Sequence, residues 1–322
     1  MTTHPSDDPA SGHRIPFVGD RVVIRYRLGD ATPADWRGGS GAALSDVTGV
    51  LLDDGDPLVI DRDGPQPIPR TAVTSIRVLS RMTVRNSQIR SLEAAAAAAW
   101  PGTESGMIDG WLLRAGGGFT RRANSAVPLE FGAGTDAATM SALRGWYAER
   151  NLPTVVAIPE RLLPAGQVVG QPLGDEMQLL AGDLDVIHTE PTTPAEQVGL
   201  DDSPSPAWLH AYRGPDVDLS VATAVVGASE GPVVFASSGD GPDAIGRGTV
   251  TGGTDGTRWL GLTVSSATPG QADAVLAALV AWGADHDAQR AHVLVHAADR
   301  IAGTWYRTTG FGLHHTSRYL AL

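Results

Sequence analysis

From Val22 to Leu28, apolar Val22, Ile24, Tyr26 and Leu28 alternate with Val23, Arg25 and Arg27, the period of a strand with one buried face. β-Rich runs at 47–52 and 58–60 flank Asp53, Asp54, Gly55, Asp56 and Pro57, a turn sequence. Residues 38–41 read as a loop, and 68–78 alternate again as one further strand. Several short strands with almost no helix signal predict a small β-barrel over this block. Residues 87–100 then predict a helix: 94–99 are consecutive alanines, the best helix formers, and Pro101 and Gly102 stop it.

The rest alternates between the two periods. Strands are predicted at 111–114 and 125–127 around a turn at Gly116, Gly117 and Gly118, then a helix at 135–150 and a strand at 154–158. Residues 189–206, rich in Pro, Thr, Ser and Asp, read as a loop or domain boundary. Beyond it lie a short helix at 207–212 and strands at 233–236, 245–250 and 258–265. A helix at 271–285, a strand at 292–295, a helix at 299–309 ending at Gly310, and a strand at 311–320 complete an α+β chain built on a mostly antiparallel sheet.

Two helical segments resemble each other at a constant offset: Leu143, Trp146 and Ala148 match Leu279, Trp282 and Ala284. Ser125 to Pro128 and Ser266 to Pro269 precede them with the same Ser-Ala-x-Pro order. This points to two copies of a strand–helix–strand unit, with a shorter strand-to-helix turn in the second.

Composition narrows the chemistry. The 322 residues suit about two domains, and 36 acidic against 24 basic residues give a net charge of −12, which repels phosphate backbones. Nucleic acid is therefore not an expected partner. Cysteine is absent, which removes disulfides, thiolate chemistry and cysteine-ligated zinc. Lysine is absent too, so neither a Schiff base nor a Walker-type lysine is available, and any general base is a carboxylate, His or water. The polar start, residues 1–13, lacks the order of a signal peptide, and no apolar stretch has membrane-spanning length, so a cytoplasmic protein with a disordered tail at 1–15 is expected.

Asp299, Ala302, Tyr306, Gly310 and Phe311 fall on the spacing Asn-x-x-Ala-x-x-x-Tyr-x-x-x-Gly-Phe, with Asp in place of Asn. In this the second half resembles the GNAT superfamily of acetyl-CoA-dependent N-acetyltransferases. The strands at 244–250 and 259–262 look like that family's third and fourth strands. The whole layout, with the segment 110–125 in the middle and a small barrel in front, resembles an actinobacterial subgroup with an SH3-like N-terminal domain. The resemblance covers residues 16–322. It implies a tail at 1–15, an SH3-like β-barrel at 16–82, a connector helix and N-terminal GNAT-like half at 83–190, and a C-terminal GNAT domain at 191–322. It also implies acetyl-CoA as co-substrate and a small-molecule or peptide amine as acceptor.

The same resemblance assigns roles. Tyr306 would protonate the departing CoA thiolate. Thr263, Val264 and Ser265 would pair with the pantetheine arm. Gly270, Gln271 and Ala272 would stand at the pyrophosphate loop, and Asp299 occupies the motif's first position or caps its helix. The sequence departs from the family's Arg/Gln-x-x-Gly-x-Gly/Ala loop, and Asp273 adds a negative charge there. A GNAT-fold binding or scaffold protein without catalysis is thus the second reading.

Other residues have weaker claims. Arg121 and Arg122 beside the glycine turn could meet an anion. His292 and His296 share a strand face but have no third ligand, so no metal site is expected. His314 and His315, adjacent on a strand, are expected on opposite faces. Glu130, Glu149 and Glu176 are candidate bases that nothing distinguishes.

Overall fold

The computed structural model describes residues 16–28, 43–79, 84–164, 166–189, 198–238, 243–266 and 269–322. The expected tail at 1–15, the loop at 38–41, residues 190–197 of the loop expected at 189–206, and Ala267 and Thr268 lie outside them; the described end of that loop holds a short strand, Val198–Asp201. In chain order the first elements are β1 (Arg21–Arg27), β2 (Leu44–Asp53), β3 (Leu58–Asp61), β4 (Pro65–Ile68), β5 (Val73–Leu79) and α1 (Asn86–Ala99). Next come β6 (Glu104–Ile108), β7 (Trp111–Ala115), β8 (Val127–Pro128), α2 (Ala137–Ala148), β9 (Val155–Pro159), β10 (Gln171–Pro172) and β11 (Met177–Asp183). β12 (Val198–Asp201), α3 (Pro206–Arg213), α4 (Leu219–Gly227), β13 (Val233–Ser238), β14 (Ala244–Gly252) and β15 (Arg258–Ser266) follow. The last are α5 (Pro269–Asp285), β16 (Arg290–His296), α6 (Arg300–Thr308) and β17 (Gly312–Ala321). No described helix is long and apolar enough to cross a membrane.

The chain divides into two compact units, residues 1–83 with 299–308, and residues 84–298 with 309–322. In the first, an antiparallel sheet runs in the order β4-β3-β2-β1-β5. The alternation read from the sequence puts Val22, Ile24 and Tyr26 inside against Val47, Leu51, Leu58, Ile60 and Ile68. The single strand expected at 68–78 is instead divided by a 3-10 turn at Arg70–Ala72. Pro65 and Pro67 cannot donate to a ladder, which confines β4 to the sheet edge. Helix α6 belongs to this unit. Asp299 Oδ1 accepts the Ala302 N–H at 3.0 Å and caps it. Gly303 is required, because a Cβ there would lie 2.7 Å from the Phe17 ring. Arg307 stacks over that ring at 4.1 Å and donates from Nε to Asp20 Oδ1 at 2.8 Å, with both side chains at 3% exposure or less.

The second unit holds a nine-stranded sheet in the order β10-β17-β11-β16-β15-β14-β13-β12, with β9 also on β17, and a small sheet β6-β7-β8. β15 and β16 run parallel, joined through α5. Helices α1 and α5 cover opposite faces, as β14 shows. A Cβ on Gly246 would meet Val275 and Leu279 of α5 at 2.5 and 2.7 Å. The neighbouring Arg247 and Thr251 turn the other way and donate to the carbonyls of Ala99 at 2.9 Å and Ala95 at 2.8 Å.

The offset that relates Leu143 to Leu279 carries β7 into β14, α2 into α5, β9 into β16 and β11 into β17. Both helices connect strands that run parallel, β8 to β9 by the bridge Ala126↔Val156 and β15 to β16 by a longer ladder. The sets are exchanged at the centre: β9 pairs with β17, β16 pairs with β11, and β11 and β17 pair with each other.

Candidate functional site

Pairing between β15 and β16 runs from Trp259↔Arg290 to Leu262↔Val293. Beyond that point β15 stays with β14 as far as Ser266, while β16 stays with β11 as far as His296. The two parallel strands part and leave a wedge. Arg122 reaches into it, donating from Nη1 to Thr263 Oγ1 at 3.1 Å and from Nη2 to the Leu294 carbonyl at 2.9 Å. Its loop is built by Asn124, whose Oδ1 accepts the N–H groups of Gly116 and Gly118 at 2.8 and 2.9 Å. Gly117 and Gly118 adopt φ of 57° and 75°, which a larger residue resists.

Next to the wedge, on the α1 face, is a cavity lined by Glu93, Trp100, Arg114, Arg122, His292 and Tyr319. Glu93 Oε1 lies 2.8 Å from His315 Nε2, and His315 Nδ1 lies 2.8 Å from His314 Nδ1. An ionised carboxylate can only accept, so His315 donates to Glu93 from Nε2, and of the two facing Nδ1 atoms one donates to the other. This contact corrects the expectation that the two histidines face apart. Leu179 pairs with His315 but Leu180 with Leu313, so a bulge at His314 turns its ring toward its neighbour.

His292 is 5% exposed, and neither ring nitrogen has a hydrogen-bond partner among the described residues. Burial, with Arg122 nearby, pushes it down to about 3, so the ring is neutral. Gly261 makes room for it: a Cβ there would lie 3.0 Å from His292 Nε2 and 2.9 Å from Thr249 Oγ1. Arg114 is buried and donates to Ser125 O, Ser125 Oγ and Trp100 O at 3.1–3.4 Å. Burial raises the Tyr319 phenol above its ordinary range, partly offset by Arg122 and Arg114.

Of the residues singled out from sequence, Thr263 stands at the wedge beside Arg122. Val264 and Ser265 continue β15 past the last pair with β16. Gly270, Gln271 and Ala272 form the first turn of α5, which packs on the face opposite the cavity, and Gln271 Nε2 reaches Asp243 Oδ2 at 3.3 Å. Tyr306 is 2% exposed on α6 in the N-terminal unit, with Asp299 at the same helix's cap. Glu93 and Tyr319 had not been singled out. The one available signal for Glu93 is its position as the lone carboxylate inside the apolar run 92–100.

A family model described as "Probable histone acetyltransferase Rv0428c C-terminal" matches residues 86–320. A curated relative, the "Probable histone acetyltransferase Rv0428c" of Mycobacterium tuberculosis, is 38% identical over 315 residues, 95% of each chain. Among solved structures, a GCN5-related N-acetyltransferase from Kribbella flavida is similar with a TM-score of 0.49 at 16% identity, covering 74% of this chain and 96% of that one. Another from Sphaerobacter thermophilus gives 0.41 at 19% identity, covering 61% and 71%. The family match runs from the start of α1 into β17 and so takes in every residue of the cavity. The chain belongs to the family of the Rv0428c probable histone acetyltransferase C-terminal region.

Proposed function

We propose that the protein is a GNAT-type acyltransferase that moves an acetyl group from acetyl-CoA to an amine. The observation that carries this reading is the wedge where β15 leaves β16 after Leu262↔Val293, beside a cavity holding an anchored carboxylate. An unpaired strand edge is a template for an extended amide-bearing chain. The backbone of Thr263, Val264 and Ser265 is such an edge on its β16 side, and a pantetheine arm fits its chemistry. Bound acetyl-CoA would supply the activated acyl group as a thioester.

The protein's own groups would do the rest. Glu93, oriented by His315, accepts the proton that the amine gives up as its nitrogen attacks the acyl carbon. Tyr319, a phenol whose proton is held by burial, donates to the sulfur as the C–S bond breaks. The resemblance to the superfamily nominates Tyr306 for that donation, and Gly270, Gln271 and Ala272 for the pyrophosphate. Phe substitutions at Tyr306 and Tyr319, made separately, distinguish the two acids: the true donor loses kcat and keeps its affinity for acetyl-CoA. The acceptor is an amine of a small molecule or of a peptide; the relative's name points to a histone. We read the N-terminal five-stranded unit as an SH3-like module.

One observation favours the second reading, a GNAT-fold binding protein without catalysis. Arg122 spans Thr263 Oγ1 and the Leu294 carbonyl, the two sides that an entering pantetheine would have to reach between. Calorimetric titration with acetyl-CoA separates the readings. Saturable heat followed by amine-dependent thiol release supports transfer; no heat at millimolar acetyl-CoA leaves only the binding protein.

A further inference from the structure

We propose that the acceptor carries a carboxylate or phosphate close to its reacting amine, and that Arg121, Arg122 and Arg213 receive that anion. The proposal rests on the acyltransferase reading for the amine's fate, but not for the binding itself.

A groove lined by Phe119, Arg121, Arg122, Tyr212, Arg213 and Tyr319, among others, opens at the C-terminal end of β16. Arg122, Met177, Leu294 and Tyr319 line both this groove and the cavity that holds Glu93, so the two are continuous. Both lie on the α1 face, where Leu294 packs with Leu92 and Ala95, and not on the face that α5 covers. The groove is therefore an approach for the acceptor, separate from the first turn of α5.

Its charge is one-sided. No Asp or Glu is among its lining residues, and none of the three guanidiniums is ion-paired among the described residues. Each has five N–H donors and spends few of them. Arg121 Nη1 donates to Leu173 O at 2.9 Å, Arg213 Nη2 to Phe119 O at 3.4 Å, and Arg122 makes its two wedge bonds. Arg213 rests over the rings of Phe119 and Tyr212 at 5.4 and 5.3 Å, which holds its fork in place. Such forks match the geometry of carboxylate and phosphate oxygens.

The net charge of −12 argues for a cation at long range. Screening over about 8 Å in physiological salt leaves the choice of occupant to the local charges. A lysine-rich tail would set like charge against three arginines. His292 supplies a second, independent pointer: a buried imidazole with no hydrogen-bond partner among the described residues lines the adjoining cavity, ready to bond a polar group of the acceptor.

The test is calorimetric titration of the full chain with O-phosphoethanolamine and 3-aminopropanoate against ethylamine and propylamine. The comparison protein is the double variant Arg121→Ser/Arg213→Ser, and a double Lys variant keeps the charge. The expected result is at least about tenfold tighter binding of the anionic amines to the wild type, lost in the Ser variant and largely kept in the Lys variant. Equal binding of both amine classes, tighter binding of a lysine-rich peptide, or unchanged binding in a folded Ser variant overturns the proposal. If the Ser variant melts early, the wild-type comparison decides. A drop in affinity for CoA but not for dephospho-CoA in the Ser variant would assign the groove to the cofactor's own phosphate and also overturn it. Anionic-amine binding without any acetyl-CoA binding removes the acyltransferase reading and leaves the anion site standing.

Discussion

His292 and His314 make the second unit acid-sensitive. Burial holds each at about 3, against 6.5 in an exposed chain, and Trp259 lies edge-on to both rings at 6.1 and 6.4 Å. Below pH 6.5 the unfolded chain binds protons that the folded one refuses. The stability they contribute is therefore intact above 6.5 and falls by about 1.4 kcal/mol per pH unit per site as pH drops toward 3. Denaturant titrations at stepped pH should show that slope, and His314→Phe should flatten it. The Asp20–Arg307 pair is a different case. Asp20→Ala strands a buried guanidinium and should cost about 3–5 kcal/mol by chemical denaturation, whereas Asp20→Leu with Arg307→Met should recover most of it. On the acyltransferase reading, Glu93→Gln keeps the shape and removes the proposed base; kcat should fall about 10²- to 10⁴-fold while acetyl-CoA affinity holds. Glu93 and Tyr319 carried no spacing signal because α1 and β17 bring them together from opposite ends of the unit. Arg122 could be named early because it sits beside a glycine turn, and Thr263 because the resemblance to the superfamily nominates the end of its strand.

Elements were legible wherever local preference and tertiary environment agree. The alanine run of α1 and the alternation of β1 are such cases. β11 was missed because residues 177–182 are all buried, so no polar alternation marks it as a strand. α4, rich in β-branched Val and Thr, reads against helix propensity. Its start is fixed by Asp218, whose Oδ1 accepts from the N–H groups of Ser220 and Val221. The contact between β14 and α5 can be tested at Gly246. An alanine there would collide with Val275 and Leu279, and Gly246→Ala should cost about 1–3 kcal/mol in an equilibrium melt.

For the whole molecule, the α+β layout and the matched helices were visible early, because composition and period are properties of segments. The exchange of strands between the two sets was not, since pairing partners more than a hundred residues apart leave no trace in local pattern. If acetyl-CoA binds the folded chain alone, a hundredfold excess over its Kd should add about 2.7 kcal/mol and raise the melting temperature. The exchanged strands also bear on how the second unit comes apart. A chain cut between Thr189 and Val198 would yield two pieces, one contributing β9, β10 and β11, the other β16 and β17. Each would hold edges that only the other can complete, so the nicked protein should elute as one species under native conditions. The pieces, made separately, should act as a split pair whose recombination restores the sheet.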